Sequence, residues 1–155
     1  MRTFNSVTEL EEAVGQEVAS TPWMTVDQAR VDRFADATDD HQWIHVDPER
    51  AKSGPFGAPV AHGFLTLSLL PHLMEQAIAM KNTVLGVNYG LNKVRFPSPL
   101  PVGSRIRAHF KLQSLEPLEP QMGYPGAQLV WEVKIEREGS DKPVCVAETV
   151  SRRYG

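Results

Sequence analysis

A carboxylate and an imidazole lie five positions apart in residues 34–47, which read Phe-Ala-Asp-Ala-Thr-Asp-Asp-His-Gln-Trp-Ile-His-Val-Asp. The stretch begins like the end of a helix and then fills with polar side chains that a hydrophobic core would exclude. If Asp40 and His45 are held together, they can bind one water molecule and move its proton near neutral pH. We therefore predict that Asp40 and His45 form a catalytic acid–base pair.

The same polar run also fits a solvated helix end and turn, in which Asp39, His41 and Gln42 make only local hydrogen bonds. Trp43 and Ile44 favour the site, because two large apolar side chains would pin the loop against the body of the protein. A rigidly held acid–base pair beside an apolar wall is typical of a hydrolytic or hydrating site.

A second candidate feature is His62-Gly63, where a loop rich in Gly and Pro (residues 54–63) meets a long apolar segment (residues 64–80). The length of that segment predicts a buried helix, which we expect to bend at Pro71. The first N–H groups of a helix have no partner within it and can bind an anion or a polarised carbonyl oxygen, and Gly63 would let a substrate come close. Alternatively, Gly63 only relieves a tight turn and His62 caps the helix.

The elements that must position these residues divide into helices followed by strands. Helices are predicted over residues 7–13, from Asp27 to about Ala37, and for one or two turns after Pro48. Strands are predicted over residues 22–26, 83–89, 92–96, 104–112, 128–136 and 143–151, with a turn over residues 118–126.

Strict alternation in residues 104–112 and 128–136 gives those strands one apolar face. We therefore predict an α+β fold in which a curved antiparallel sheet wraps around one long central helix. No repeat or linker divides the chain, so residues 1–155 are predicted to be a single domain. One helix covers only part of such a sheet, and the open edge predicts pairing with a second copy in a homodimer.

The composition of the 155 residues is that of an ordinary globular domain, with 41% hydrophobic and 23% charged residues and a net charge of −3. No cluster of Lys and Arg indicates a nucleic-acid partner. Cys145 is the single cysteine, so an intrachain disulfide and a Cys-rich zinc site are excluded, and we interpret it as a buried hydrophobe. The absence of a signal-like segment or of a run near 20 apolar residues predicts a cytoplasmic protein.

Several motifs together resemble the MaoC-like dehydratases, the (R)-specific enoyl-CoA hydratases of hot-dog fold. They are the run from Asp40 to Pro48, Ala61-His62-Gly63-Phe64, the run from Asn88 to Pro97, and Pro101-Val102-Gly103-Ser104. The hydratase signature of that family is Asp-x-Asn-Pro-x-His. This chain keeps the Asp and the His but has Gln42 in place of the Asn and Trp43 in place of the Pro. Packing must then hold a loop that a proline would otherwise stiffen.

The resemblance implies hydration of trans-2-enoyl-CoA to (R)-3-hydroxyacyl-CoA. Asp40 would be the general base, and His45 would orient the water and pass a proton towards the α-carbon. The Gly63 N–H would form the oxyanion hole, with Gln42 and His62 as substrate-binding residues. No metal or cofactor is implied. Basic residues should line the path of coenzyme A, and the candidates by type are Lys93, Arg95, Arg105 and Arg107.

Two other functions stay open at this point. A hot-dog thioesterase generally carries a carboxylate on its central helix, where this chain offers only Glu75, late in the segment and after Pro71. A non-catalytic acyl-CoA-binding subunit, or one half of a heterodimer, is the other possibility. The presence of both Asp40 and His45 favours the hydratase over either.

Overall fold

Residues 1–155 are described by a computed structural model, in which six helices and eight strands follow one another along the chain. The helices are α1 (Val7–Glu12), α2 (Gln28–Thr38), α3 (Trp43–Val46), α4 (Pro48–Lys52), α5 (Gly63–Ser68) and α6 (Leu70–Ala77). The strands are β1 (Arg2–Phe4), β2 (Glu17–Ser20), β3 (Met24–Thr25), β4 (Ile78–Met80), β5 (Leu85–Arg95), β6 (Arg105–Gln121), β7 (Tyr124–Arg137) and β8 (Cys145–Tyr154).

Side chains at the helix starts explain three of the helices. Ser6, Asp27 and Asp47 each accept a hydrogen bond from a backbone N–H of the first turn of α1, α2 and α4. Pro48 occupies the first position of α4, where its missing N–H costs nothing. These helix starts agree with the predictions.

The main sheet has six strands in the order β2-β6-β7-β8-β5, and β3 pairs with β6 beside β2. All these pairings are antiparallel. The predicted alternation is observed over residues 105–112 of β6 and 127–135 of β7, where every second side chain is buried against the core. The predicted α+β arrangement is therefore confirmed.

The central helix is built from α5 and α6, with an interruption at Leu69, two residues before Pro71. The bend expected at Pro71 is thus observed as a break in the helix. Its buried face packs against the apolar face of the sheet, where Phe110 and Trp131 are fully buried. Core residues of the helix are Leu65, Leu69, Leu70, Leu73 and Ala77.

Four details differ from the predicted elements. Residues 78–80 are not helical but form β4, which pairs in parallel with β1. The two strands predicted over 83–89 and 92–96 are one strand, β5. The predicted turn over 118–126 shrinks to Met122 and Gly123, because β6 and β7 continue pairing to Gln121 and Tyr124. Strand β2 was not predicted, since its four residues show no clear alternation.

Cys145 is fully buried, and burial raises the pKa of its thiol to about 11. A thiol this hard to ionise is a poor nucleophile, which agrees with its interpretation as a core residue. No helix of the structure is long and apolar enough to cross a membrane.

Candidate active site

The end of α2 places Asp40 at the surface. Asp39 has a left-handed backbone, with a φ of 60°, and this residue turns the chain out of the helix. Asp40 follows directly, and its side chain is 51% exposed. The carboxylate is therefore accessible from solvent, whereas its backbone is held by the contact described next.

His62 joins Asp40 to the start of the central helix. The Nε2 atom of His62 lies 2.9 Å from the backbone oxygen of Asp40 and 3.9 Å from its carboxylate. Since a carbonyl oxygen can only accept, Nε2 must carry the proton of the imidazole. Asp40 makes no other hydrogen bond to a distant part of the chain.

His45 lies on α3 with its ring buried, and its tautomer is set by the backbone. Its Nδ1 is 2.6 Å from the carbonyl oxygen of Val60, so Nδ1 donates a proton and Nε2 is left with a free lone pair. Burial lowers the pKa of His45, and the nearby His62 lowers it further, although the bond to Val60 opposes the shift. The imidazole is therefore neutral at neutral pH, with Nε2 available as a base.

Together, Asp40, His45 and His62 bring one ligand-type atom each within 4.8 Å of one another. The rings of His45 and His62 are stacked, with centroids 3.8 Å apart and 25° between their planes. Phe34, from α2, contacts His62 with ring centroids 4.9 Å apart. The structure thus brings together the two segments that the sequence singled out separately.

Gly63 is the first residue of α5, and its N–H donates to no acceptor in the protein. A Cβ atom at this position would lie 2.8 Å from the ring of Phe96, so only glycine fits without displacing that ring. A cavity of about 300 Å³ adjoins both Gly63 and His45. Its other walls are largely apolar and include Ile44, Phe56, Val60, Phe96, Leu100 and Val144.

Packing of Trp43 explains how the loop is held without the proline of the family signature. The indole lies so close to Gly54 that a Cβ there would be 2.8 Å from the ring. The guanidinium of Arg50 lies over the Trp43 ring, 4.4 Å from the ring centroid. The next residue, Ile44, accepts a hydrogen bond from the N–H of Val60 at 3.0 Å. Trp43, Arg50 and Gly54 had not been predicted to act together.

The two predicted substrate-binding residues differ in exposure. Gln42 is exposed and its side chain makes no hydrogen bond within the protein, while its carbonyl accepts from the N–H of His45 at 3.0 Å. His62 is only 2% exposed. A role for Gln42 in binding substrate stays a prediction, whereas the burial of His62 favours internal contacts.

The same three side chains are the candidates for holding a metal ion. However, His45 Nδ1 and His62 Nε2 each face a carbonyl oxygen and must carry a proton, which prevents those nitrogens from binding a metal. Nδ1 of His62 is buried away from solvent. That leaves His45 Nε2 and the Asp40 carboxylate as accessible donors, and two donors make an incomplete set. The arrangement is better suited to holding a water molecule.

Two of the four basic candidates for the path of coenzyme A are engaged elsewhere. Arg105 pairs with Glu138, and Arg107 pairs with Glu136 at 2.7 Å, both on the face of the sheet away from the core. Lys93 and Arg95 lie on β5 and form no ion pair. The remaining histidines lie outside the candidate site: His41 contacts Asp36, His72 is exposed, and His109 lies between Glu17 and Glu136.

Comparison with known proteins identifies the class to which this fold and site belong. The profile of the MaoC like domain matches residues 9–123. The chain belongs to this family of hot-dog dehydratases and hydratases, which indicates a hydro-lyase.

Individual relatives agree with that class. The 3-hydroxyacyl-thioester dehydratase Z of Mycobacterium tuberculosis (strain ATCC 25618 / H37Rv) is 54% identical over 152 residues, covering 98% of each chain. Among solved structures, the (R)-hydratase of A. caviae involved in PHA biosynthesis has a TM-score of 0.66 at 25% identity, covering 89% of this chain and 94% of that chain. A monoamine oxidase regulatory protein from Archaeoglobus fulgius has a TM-score of 0.78 at 20% identity, covering 99% and 96% respectively, and shows the same fold.

Proposed function

We propose that this protein is an (R)-specific enoyl-CoA hydratase, which adds water reversibly to a trans-2-enoyl-CoA to give the (R)-3-hydroxyacyl-CoA. One observation carries the proposal: His45, whose Nε2 has a free lone pair, approaches Asp40 to within 4.8 Å and lines the same cavity as Gly63. The names of the thioester dehydratase and the (R)-hydratase support the same reaction type.

In the proposed mechanism, one water molecule donates one hydrogen bond to Asp40 and the other to His45 Nε2. With both O–H bonds engaged, a lone pair of the water oxygen faces the β-carbon of the substrate. As the C–O bond forms, Asp40 removes one proton from the water, and the negative charge moves to the thioester oxygen. The Gly63 N–H stabilises that charge.

The reaction is completed when a proton is delivered to the α-carbon. Neutral His45 holds no proton at Nε2 before the reaction, so this proton originates from the attacking water. Asp40, protonated in the first step, can return it directly, or His45 can pass it on after receiving it. Either route adds one water molecule in total and leaves both side chains in their starting forms.

A direct assay tests the proposal and its alternatives together. Purified protein is mixed with crotonyl-CoA, and the loss of enoyl-thioester absorbance is followed while free thiol is titrated. We expect absorbance to fall without release of thiol, and chiral analysis should identify the (R)-product. Release of thiol would instead show a thioesterase. No reaction with short or long enoyl chains would favour a non-catalytic acyl-CoA-binding subunit.

The thioesterase alternative has no support from the site geometry. Glu75 is the single acid of the central helix, and it lies on α6 at an exposed position. It lines a different cavity from the one beside His45 and Gly63. A carboxylate placed there cannot attack a thioester whose carbonyl oxygen binds to Gly63.

Substitution of the acid–base pair is the sharper test of the mechanism. We expect Asp40→Asn and His45→Gln each to lower kcat by roughly 100- to 10,000-fold, because general acid–base catalysis contributes about that much. Asp36→Asn and His41→Gln are matched controls, since this neighbouring Asp–His contact is exposed and outside the site. Circular dichroism should show all four variants folded. Activity near that of the wild type in Asp40→Asn or His45→Gln would refute the assigned roles.

A homodimer is part of the proposal. Strand β5 is at the end of the sheet order and pairs on one side only, with β8. It exposes large apolar side chains, namely Val87, Tyr89 and Leu91. An exposed strand edge with apolar side chains is suited to pairing with a second copy of the same edge.

A further inference from the structure

His62 is the one residue that contacts the rest of the candidate site while being almost closed to solvent. Only 2% of it is exposed, so a bound thioester cannot displace it or contact it extensively. One ring face is stacked on His45, and Phe34 packs against the ring from α2. The polar imidazole is therefore held in an aromatic cluster and not in the substrate cavity, which it does not line.

The hydrogen bond from His62 fixes the position of Asp40. Asp40 follows the left-handed Asp39 and lies outside any helix, so regular backbone hydrogen bonds do not hold it. Its own carboxylate makes only a local contact, 3.4 Å from the N–H of Gln42. The bond from His62 Nε2 to the Asp40 carbonyl, 22 positions away, is the tertiary hydrogen bond that sets where the carboxylate stands.

His62 is also the residue immediately before the predicted oxyanion donor. It occupies the cap position of α5, and its carbonyl accepts the hydrogen bonds of Leu65 and Thr66 that begin the helix. A shift of His62 would therefore move the N–H of Gly63 along with it. One side chain and its backbone thus connect the base, the water-orienting imidazole and the oxyanion donor.

An unpaired atom supports a functional reason for histidine at this position. Nδ1 of His62 is buried and has no hydrogen-bond partner. Buried polar atoms without partners are rare and destabilising, so each one needs an explanation, and a catalytic role is one of those known. An apolar ring would fill the same aromatic cluster without that cost, but it would lose the bond to Asp40.

We propose that His62 is a positioning residue for the hydration reaction, which aligns Asp40 through its Nε2–H and His45 through ring stacking. The kinetic test of this inference rests on the proposed function. The hydrogen bond and the tautomers it requires can be tested without measuring activity. The positioning role replaces the expectation that His62 binds substrate.

The kinetic test separates the two contacts with two variants. His62→Phe keeps an aromatic ring against His45 and removes the donor to Asp40, whereas His62→Gln keeps an N–H donor of similar reach and removes the ring. We expect His62→Phe to lower kcat by roughly 100-fold, the scale of a misplaced catalytic group, with KM unchanged. His62→Gln should retain more activity than His62→Phe. A raised KM with an unchanged kcat would instead show direct binding of substrate and overturn the proposal.

Thr21→Val controls for a loss of stability alone. Thr21 is also buried, and its hydroxyl accepts a hydrogen bond from the N–H of Ala108 in the sheet, away from the candidate site. This variant should lower the melting temperature and leave kcat unchanged. If His62→Phe does not fold, the tautomer of His62 in the wild-type protein still decides the question, because its measurement by NMR needs no variant.

Imidazole NMR tests the geometry without any substrate. Long-range 1H–15N correlations should show His62 protonated at Nε2 and His45 protonated at Nδ1 in the wild type. In His62→Phe, the pKa of His45 should rise, because the neighbouring imidazole that opposes its protonation is gone. A His62 protonated at Nδ1 would overturn the positioning role even in an active hydratase. Conversely, an inactive protein with the expected tautomers would refute the proposed function and leave the geometry intact.

Discussion

At the scale of single residues, a backbone carbonyl decides what His45 can do. Because Val60 accepts from Nδ1, the nitrogen with a free lone pair is Nε2. Burial then disfavours the charged form and lowers the pKa of His45. The imidazole enters the proposed reaction as a neutral group that accepts a hydrogen bond from the attacking water.

The lowered pKa of His45 predicts the acidic limb of the pH profile. Activity should be constant as the pH is lowered to about 6.5, the usual value, and should fall only below it, where the folded protein protonates His45. The measurement is kcat/KM for crotonyl-CoA between pH 5 and 8, in steps of about half a unit. A loss of activity that begins well above pH 6.5 would contradict a neutral His45 that orients the water.

The lowered pKa of His45 also makes the folded protein less stable at low pH. As the pH falls through 6.5, the unfolded chain takes up a proton at this position before the folded chain does. The stability contributed by neutral His45 is therefore present above pH 6.5 and is lost as the pH falls through the folded pKa. His45→Gln should remove this part of the pH dependence, which urea unfolding of both proteins at pH 7 and pH 5 would measure. An identical pH dependence in the two proteins would contradict it.

The sequence predicted the parts of the site whose residues lie close together along the chain, but not the contacts between distant segments. Asp40 and His45 are five positions apart, and residue type with spacing was enough to single them out. Gly63 followed from its place at a helix start. The contacts of His62 with Asp40 and His45 join segments 22 and 17 positions apart, and only the packed structure shows that these segments meet.

At the scale of elements, the short helix α3 is held by side-chain packing in place of the backbone restriction of a proline. The indole of Trp43 fills the space over Gly54, so the chain at Gly54 must lack a side chain. This contact joins α3, which carries His45, to the loop that leads towards His62. The replacement of the signature proline by Trp43 is thus accommodated within one small packing unit.

Gly54→Ala should therefore displace Trp43 and loosen α3. We expect a loss of about 1–3 kcal/mol in the free energy of unfolding, the usual cost of overpacking, together with a lower kcat. Urea denaturation measures the first and the crotonyl-CoA assay the second. In a Trp43→Ala background the same glycine substitution should cost little, because the clash is absent. Equal costs in both backgrounds would show that Trp43 is not the reason for glycine.

Elements with a strong local pattern were predicted correctly. Elements whose extent depends on pairing with a distant strand were not. Alternation in β6 and β7 reflects one buried face, so both strands were identified, although their length was underestimated. Gly90 made β5 look like two strands, but β8 pairs along its whole length and register shifts absorb the irregular residues. Strands β1 and β4 are three residues each and pair with each other, which no local pattern reveals.

At the scale of the whole molecule, one face of the sheet carries charged side chains, whereas one of its edges exposes apolar ones. The face away from the core is covered by charged pairs, among them Arg107 with Glu136 and Arg105 with Glu138. Hydrogen bonds to His109 and Arg107 lower the pKa of Glu136 although burial opposes this, so the carboxylate stays charged. By contrast, β5 presents an unpaired edge with exposed apolar side chains. The chain is thus protected from association on one face and open to it at one edge.

A second copy would also cover a further apolar opening. A cavity of about 400 Å³ lies between the central helix and the strands β5 and β8, and Leu91 forms part of its wall. Apolar surface at an edge strand that is left in water invites association, and a symmetric dimer through β5 would bury the strand edge and this opening together.

Leu91→Lys tests this arrangement, because a charge at a paired β5 edge would face its symmetry mate or apolar surface. Light scattering coupled to size-exclusion chromatography should give about twice the chain mass of 17.3 kDa for the wild type and a value near the chain mass for Leu91→Lys. Met122→Lys is the matched control, since Met122 is an exposed apolar residue at the β6–β7 turn, and it should remain dimeric. A wild type that is monomeric at micromolar concentration, or a Leu91→Lys variant that stays dimeric, would place the interface elsewhere.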